Sequence, residues 1–485
     1  MASSPYRAPA AGTKQRGTAP RFSRTRAAGV GARGAGATNC VLVRSPGPPR
    51  SDPTSTESHE IAAPPEQGLF SRVLLSAFSS LRQRNFRLFL SGQFLSQCGS
   101  WIQTVAHGWL VLTLTDSPFV LGLVSTLGSL PILLFTLYGG VIADRVNKRH
   151  FIIVLQTGML LEALALGVLT QFGWITVTWV MILAAFFGLM MAFEVPVRQA
   201  FMVDLVGQGE LMNAIALNSS AFNLSRVIGP AIAGGIIAAA GLAACFYTNA
   251  LSFVAVLAIL FYIRMPEGAP PVERLDFRRS LGEGFRYVST ERWPRTLVLL
   301  TATLSIFGFS FLTMLPVYAR DVLDVGAAGY GLALAAVGVG AVTAALGIAA
   351  FGPRVRQGRT ALAAAGILGT ATMLMALLPY LLPTIVLGAI AGCAMAASGI
   401  TTNTLLQRQS PDHLRGRVMG FYSFVALGMA PFGSLQAGWI SEHLGVRASF
   451  AIGGAVCLLA VSGVVWWLRT DMARAAALTA VTPSP

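Results

Sequence analysis

Within a segment otherwise apolar enough for lipid, residues 91–109 read SGQFLSQCGSWIQTVAHGW. Amides, hydroxyls and an imidazole in that setting can bind a polar guest, hold water or join helices through hydrogen bonds. At 100° per residue, Gln93, Ser96, Gln97, Ser100, Gln103, Thr104 and His107 fall within about 120° of helical arc. Phe94, Leu95, Trp101, Ile102 and Trp109 fall outside it. Lipid penalises such a stripe, so it is expected to line an interior cavity or to pack against polar neighbours. A second constellation, Ser219, Asn223 and Arg226, shares about 60° of another segment that also holds Pro230. An arginine in mid-membrane costs about 2.5–3.5 kcal/mol on insertion scales, so Arg226 needs an acid, carbonyls or a watery cavity. It could anchor an anionic or oxygen-rich guest, or join a structural ion pair with Glu162, the other charge within a span. Glu194, Arg198 and Asp204 suggest an ion-pair network, with a part in proton coupling as the alternative. Ser398, Thr401 and Thr402 share a face of a later segment, and Tyr422 and Gln436 mark the next.

The elements that hold these residues follow from composition. The 485 residues are 54% hydrophobic and 11% charged, the balance of an integral membrane protein. Twelve apolar runs recur after residue 86, near 87–113, 118–143, 150–170, 174–195, 211–239, 243–264, 296–319, 328–352, 360–380, 383–405, 414–440 and 446–468. Each is long enough to cross about 30 Å of hydrocarbon as a helix. They lack the alternation of barrel strands, so the fold class expected is all-α. Arg145, Lys148, Arg149, Arg278, Arg279, Arg354, Arg356, Arg359, Arg415 and Arg417 fall on one side, against Arg320 and Arg447 on the other. The positive-inside rule then puts both termini in the cytoplasm and the protein in the cytoplasmic membrane. The net charge of +15 lies in these loops and the N-terminal tail, a pattern of topology and not of nucleic-acid binding. Cys98, Cys245, Cys393 and Cys457 sit in apolar runs and Cys40 in the tail, with neither disulfide framework nor metal spacing. No cofactor is expected.

Residues 1–66, rich in Pro, Ser, Ala, Gly and Arg, are expected to be disordered, as a targeting segment or a basic extension. Residues 67–85 have the pattern of an amphipathic helix lying on the membrane. A six-helix bundle is expected over 86–264, a cytoplasmic loop with a short amphipathic helix over 265–295, a second bundle over 296–468 and a tail over 469–485. The halves echo each other. Gly122 precedes Asp144-Arg145-Val146 as Gly331 precedes Pro353-Arg354-Val355, and the long spans opened by ELMNAI and HLRGRV carry Pro230 and Pro431.

GGVIADRVNKRH, residues 139–150, resembles the cytoplasmic loop signature of the major facilitator superfamily at Gly140, Asp144, Arg145, Lys148 and Arg149. Asn147 replaces the second glycine and is among the few residues that tolerate a left-handed backbone. The resemblance implies two pseudo-symmetric six-helix bundles and a gating latch. Asp144, disfavoured at its own helix C-terminus, would be held by Arg145 or by the start of the eleventh helix near Arg415–Arg417. More narrowly, NFRLFLSGQFLSQCGSWIQTVAHGWLVLTLTDSP, FEVPVRQAFMVDLV and ELMNAIALNSSAFNLSRVIGPAIAGG look like the enterobactin exporter family of bacterial efflux carriers, a similarity running over residues 77–468. Proton antiporters often carry Gly-Pro, two residues, then Gly-Gly in the fifth span; here three residues separate Gly229-Pro230 from Gly234-Gly235, Ser225 replaces a glycine, and the fourth span lacks the arginine common in that class. Proton coupling is therefore implied by the branch alone.

The expectation is a monomeric alternating-access carrier that exports a small organic molecule of the siderophore or amphipathic drug class. Nutrient uptake by the same fold is the rival reading. A membrane-embedded enzyme is more distant, because five histidines are scattered without metal spacing.

Overall fold

The computed structural model describes residues 79–143, 145–263, 277–352 and 356–481. The expectations for 1–66, for 67–78 and for Asp144 fall outside the described residues. Among those described, every regular element is helical, as lipid requires of backbone groups that cannot bond to water.

Among the described residues, nine helices are long and apolar enough to cross a membrane. One of them, Val177–Tyr262, runs 86 residues and is broken at Gly207 (φ 71°) and Gly241 (φ 81°). Only glycine enters that left-handed region without strain, so the chain can turn sharply there with no loop. At the second turn Cys245 Sγ lies 3.9 Å from the Ala233 carbonyl oxygen, as across a hairpin. The long helix therefore supplies three spans, α4 (177–206), α5 (208–240) and α6 (242–262). The others are α1 (Arg84–Thr115), α2 (Pro118–Ala143), α3 (Lys148–Gln171), α7 (Arg292–Asp321), α8 (Gly326–Phe351), α9 (Gln357–Leu377), α10 (Leu381–Gln409), α11 (Arg415–Leu444) and α12 (Val446–Val481). Counting the long helix as three, and adding α1, whose polar stripe keeps it out of the nine, gives twelve.

Two differences from the sequence expectation have local causes. Helix α12 continues through the stretch taken as a tail from 469, to Val481, because ARAAALTA is built of strong helix formers. Asn147 is not left-handed: with φ −66° it caps α3, its side chain accepting from the His150 amide at 3.1 Å. Short polar residues are favoured at that position for this bond. The 3₁₀ turn Ser79–Arg82 precedes α1, and Ser80 Oγ donates to the Glu210 carbonyl at 3.1 Å, tying it to the α4–α5 corner.

The two halves, α1–α6 and α7–α12, meet along α2 against α11 and α5 against α8. A Cβ on Gly122 would stand 2.6 Å from the Ser434 carbonyl oxygen and 3.0 Å from Gly438 Cα. A Cβ on Gly331 would stand 2.5 Å from the Pro230 carbonyl oxygen and 3.3 Å from Gly234 N. The glycine echo of the sequence is thus a pair of equivalent backbone approaches of the small-residue kind that packs membrane helices. Further ties close the end that carries Asp116. Arg320 pairs with Asp116 at 2.7 Å and donates to the Leu112 carbonyl at 3.0 Å. Glu442 accepts from Ser117 Oγ at 2.9 Å and from the Phe119 amide at 3.2 Å. Thr126 Oγ1 donates to the Pro431 carbonyl at 3.0 Å. Among the described residues, the hydrogen bonds and ion pairs that join the halves all lie toward this Asp116 end. At the opposite end, which carries Lys148, the helix Phe277–Thr290 packs on α11, where Glu283 pairs with Arg417.

Candidate functional site

The polar stripe of α1 borders a cavity with two lobes that share Ser100, Trp101, Thr104, Phe187 and Met191. The lobe toward the Lys148 end, about 210 Å³, lies within the first half and takes Gln93, Ser96, Gln97, Gln156, Glu194 and Arg198 on its wall. The second, about 430 Å³, reaches the junction of the halves, where Leu312, Thr313, Pro316 and Tyr330 complete it. Both volumes are on the scale of small-molecule pockets.

Helix geometry explains which of the stripe residues face this space. Gln97 has both amide atoms buried with no protein partner, as are Nε2 of Gln93 and Oε1 of Gln156. Buried polar atoms are nearly always bonded, so these are exceptions gathered on the wall of the first lobe. Gln103 borders the second lobe, but its amide is committed to protein partners. Its Nε2 donates to both Glu162 carboxylate oxygens, at 3.1 and 3.0 Å, and its Oε1 accepts from Asn249 at 2.8 Å. Ser252 Oγ donates to Asn249 Oδ1 at 3.1 Å. This buried chain fastens α1 to α3 and α6, and α6 can approach because Gly99 presents no side chain to Ser252 and Asn249. His107 borders the second lobe.

Arg226 also lies on the second lobe, its guanidinium carbon 5.6 Å from the centre of the Trp101 ring. Its Nε is buried without a hydrogen-bond partner. The expected pairing with Glu162 does not form; Glu162 is held by Gln103, and the arginine is met instead by an aromatic face, a cation–π contact. Trp101, placed outside the stripe by the wheel, is therefore on the cavity wall. The Arg226 charge has no counter-ion among the described residues.

The remaining candidates sort by position. Glu194 and Arg198 form an ion pair at 2.8 Å on the wall of the first lobe. Asp204 pairs instead with Lys148 at 2.6 Å, so the expected network is two separate pairs. Arg149 donates to the Leu260 and Phe261 carbonyls at 2.8 and 3.1 Å, capping α6. Arg145 is exposed, and Gly140 lies in the last turn of α2. At the start of the eleventh helix Arg415 is engaged with Asp412 at 2.6 Å and Arg417 with Glu283. Ser219 and Asn223 share a turn of α5, Asn223 Nδ2 donating to the Ser219 carbonyl at 2.8 Å; neither borders the lobes. Thr401 is buried against the Ala397 carbonyl at 2.6 Å, and Tyr422 Oη donates to the Gly399 carbonyl at 3.4 Å, both off the wall. Thr313 and Tyr330, which do border it, carried no signal beyond single polar atoms in apolar spans.

Two pseudo-equivalent helical halves, sealed together at one end around a mainly apolar cavity with a polar stripe at their junction, have the build of an alternating-access carrier. The comparison with known families makes this specific: residues 75–483 match the transmembrane secretion effector family of the major facilitator superfamily, and the chain belongs to it. The enterobactin-exporter resemblance is one of several in the same family. The staphyloferrin A transporter of Staphylococcus aureus (strain NCTC 8325 / PS 47) is 28% identical over 77% of this chain and 94% of its own. The multidrug efflux pump Tap of Mycolicibacterium fortuitum is 28% identical over 78% of this chain and 94% of its own. Among solved structures, a bacterial homologue of the iron transporter ferroportin in an inward-facing state has a TM-score of 0.62 at 16% identity, covering 79% of this chain and 98% of that one. The protein is accordingly a multi-pass secondary transporter that exports small molecules, and not an enzyme.

Proposed function

We propose that the cargo is an amphipathic organic molecule with carboxylate, catecholate or similar oxygen groups, of the siderophore or drug class. The carrying observation is the uncompensated Arg226 on the second lobe, with the partnerless Gln97 amide on the adjoining first lobe. Phe187, Met191 and Met159 supply the apolar side, and methionine adapts to guests of several shapes. The names of the two relatives, one for a siderophore transporter and one for a multidrug pump, support both cargo classes. Gln93, Gln97, Ser100, Thr104 and His107 line the path and Arg226 anchors the oxygens. Charge asymmetry supports termini in the cytoplasm, so the sealed Asp116 end faces outward and the cavity is loaded from inside.

Coupling runs through protons in this reading. Glu162 is a carboxyl inside the membrane, bonded to neutral Gln103 and bordering the same lobe as Arg226. Intramembrane acids of this kind serve as proton relays. The test is intracellular accumulation of a panel of siderophores and dyes in efflux-deficient cells with and without the gene. Lower accumulation of at least one oxygen-rich member supports the proposal; higher accumulation would mean uptake and overturn it.

A further inference from the structure

At the Lys148 end of the second half, away from the central cavity, a crevice of about 550 Å³ opens between α7, α9, α10 and α12. Three arginines border it. Arg356 and Arg359 sit at the N-terminus of α9 and Arg408 in the last turn of α10. No acidic residue lines the crevice, and no ion pair or side-chain hydrogen bond engages these three among the described residues. The dipole of α10 favours Arg408, but that of α9 repels Arg356 and Arg359, since a helix N-terminus carries partial positive charge. The same N-terminus has no side-chain cap, and Gln357 and Gly358 border the crevice. Cations and free amides so grouped call for an anion.

Apart from Thr296, Gln357 and Gln409, the rest of the crevice is apolar. It joins, through Thr296, Leu300 and Val464, a groove of about 320 Å³ that runs between α7 and α12 past Leu299 and Thr303. From Thr296 to Thr303 the groove follows α7 for about 10 Å along its axis. Leu299 beside it is 60% exposed and Trp466 69%, which in a membrane protein marks a face turned to lipid. Trp293 and Trp467 stand edge to face at 6.3 Å beside the arginines, and tryptophan concentrates at the headgroup level.

We propose that this crevice is a binding site for an anionic phospholipid of the Lys148-side leaflet. The arginines and the α9 N-terminus hold the phosphate, and the α7–α12 groove takes part of an acyl chain. Basic pockets between membrane helices at the cytoplasmic side hold anionic headgroups by this chemistry. The positive-inside rule accounts for arginines on this side, but not for three converging on one apolar-floored crevice.

The test uses the purified full chain, delipidated in neutral detergent, with dioleoyl-phosphatidylglycerol, dioleoyl-phosphatidylcholine or inorganic phosphate added. Lipid retention is read by native mass spectrometry and stabilisation by thermal unfolding. Wild type should retain phosphatidylglycerol over phosphatidylcholine and melt higher with it. The variant Arg356→Gln/Arg359→Gln/Arg408→Gln should lose at least about tenfold in retention. Arg82→Gln/Arg84→Gln/Arg87→Gln, which removes as much exposed charge from the same end, should retain the lipid as wild type does. Equal loss in both variants, or no loss in the first, would overturn the proposal. Equal stabilisation by inorganic phosphate would make the ligand a free anion and would overturn it too. Should the crevice variant fail to fold, Val464→Trp fills the groove with the arginines intact and should weaken phosphatidylglycerol retention; unchanged retention there counts against the site.

Discussion

Rocking of the halves requires the sealed Asp116 end to come apart, and the bonds that hold it set how often it does. Glu442 joins α11 to the N-terminus of α2 by accepting from Ser117 Oγ and the Phe119 amide. A carboxylate cap of this type is worth about 0.5–2 kcal/mol, and exposure of Glu442 argues for the lower part of that range, about 1 kcal/mol. Arg320 joins α7 to the C-terminus of α1 through the Leu112 carbonyl and Asp116. The Asp116 side chain is 89% exposed, so that ion pair contributes little and the carbonyl bond dominates, again about 1 kcal/mol. The two ties share no partner, so Glu442→Ala and Arg320→Ala should add. About 2 kcal/mol lost from the closed state raises the open-to-closed ratio roughly thirtyfold. Spin labels on Trp174→Cys and Tyr380→Cys, both exposed and on different halves at this end, in a background without native cysteines, report the distance. The double variant should enlarge a longer-distance population at the expense of the shorter. An unchanged distribution would show that these bonds do not hold the end closed.

Gly122→Leu places a side chain against the Ser434 backbone and should hold the same labels apart while leaving the chain folded, because only the junction between halves must yield. Asn249→Leu strips Gln103 of its donor and leaves its carbonyl oxygen unpaired in a buried site. Its midpoint of thermal unfolding in detergent should fall in line with about 1–3 kcal/mol. Lys148→Ala leaves Asp204 unpaired, and because both side chains are only about one-fifth exposed solvent screens little, so the same melt should fall by the equivalent of about 1–3 kcal/mol. Trp101→Leu removes the aromatic face from Arg226, and cargo affinity should change more than for Trp101→Phe, measured by equilibrium binding.

How far the sequence carried depends on what each signal encodes. Span positions were legible because about 20 apolar residues are needed for each crossing, and Gly122 and Gly331 marked real helix approaches because only a residue without a side chain fits there. The breaks at Gly207 and Gly241 fall in the gaps left between the apolar runs ending at 195 and 239 and those opening at 211 and 243, but a single positive φ gives no sequence sign that helix continues up to each turn. The wheel found the α1 stripe but gave direction only. It could not tell that the Gln103 amide is taken up by Glu162 and Asn249 while that of Gln97 has no protein partner, because that depends on where α3 and α6 pack. The same limit misplaced Trp101 and suggested the pairing of Arg226 with Glu162, two charges that compete for no common partner once Gln103 intervenes. Thr401 and Tyr422 were polar for local reasons, each bonding to a carbonyl of α10.

The most direct measurement is cargo uptake into inside-out vesicles loaded with equal amounts of wild type or Arg226→Ala, using the oxygen-rich compound whose accumulation the gene lowers most. Wild type should concentrate the compound and Arg226→Ala should fall to the level of empty vesicles, with unfolding midpoint and vesicle incorporation unchanged. Transport by Arg226→Ala at the wild-type rate would contradict the assignment of this arginine, and of the lobe around it, to the cargo.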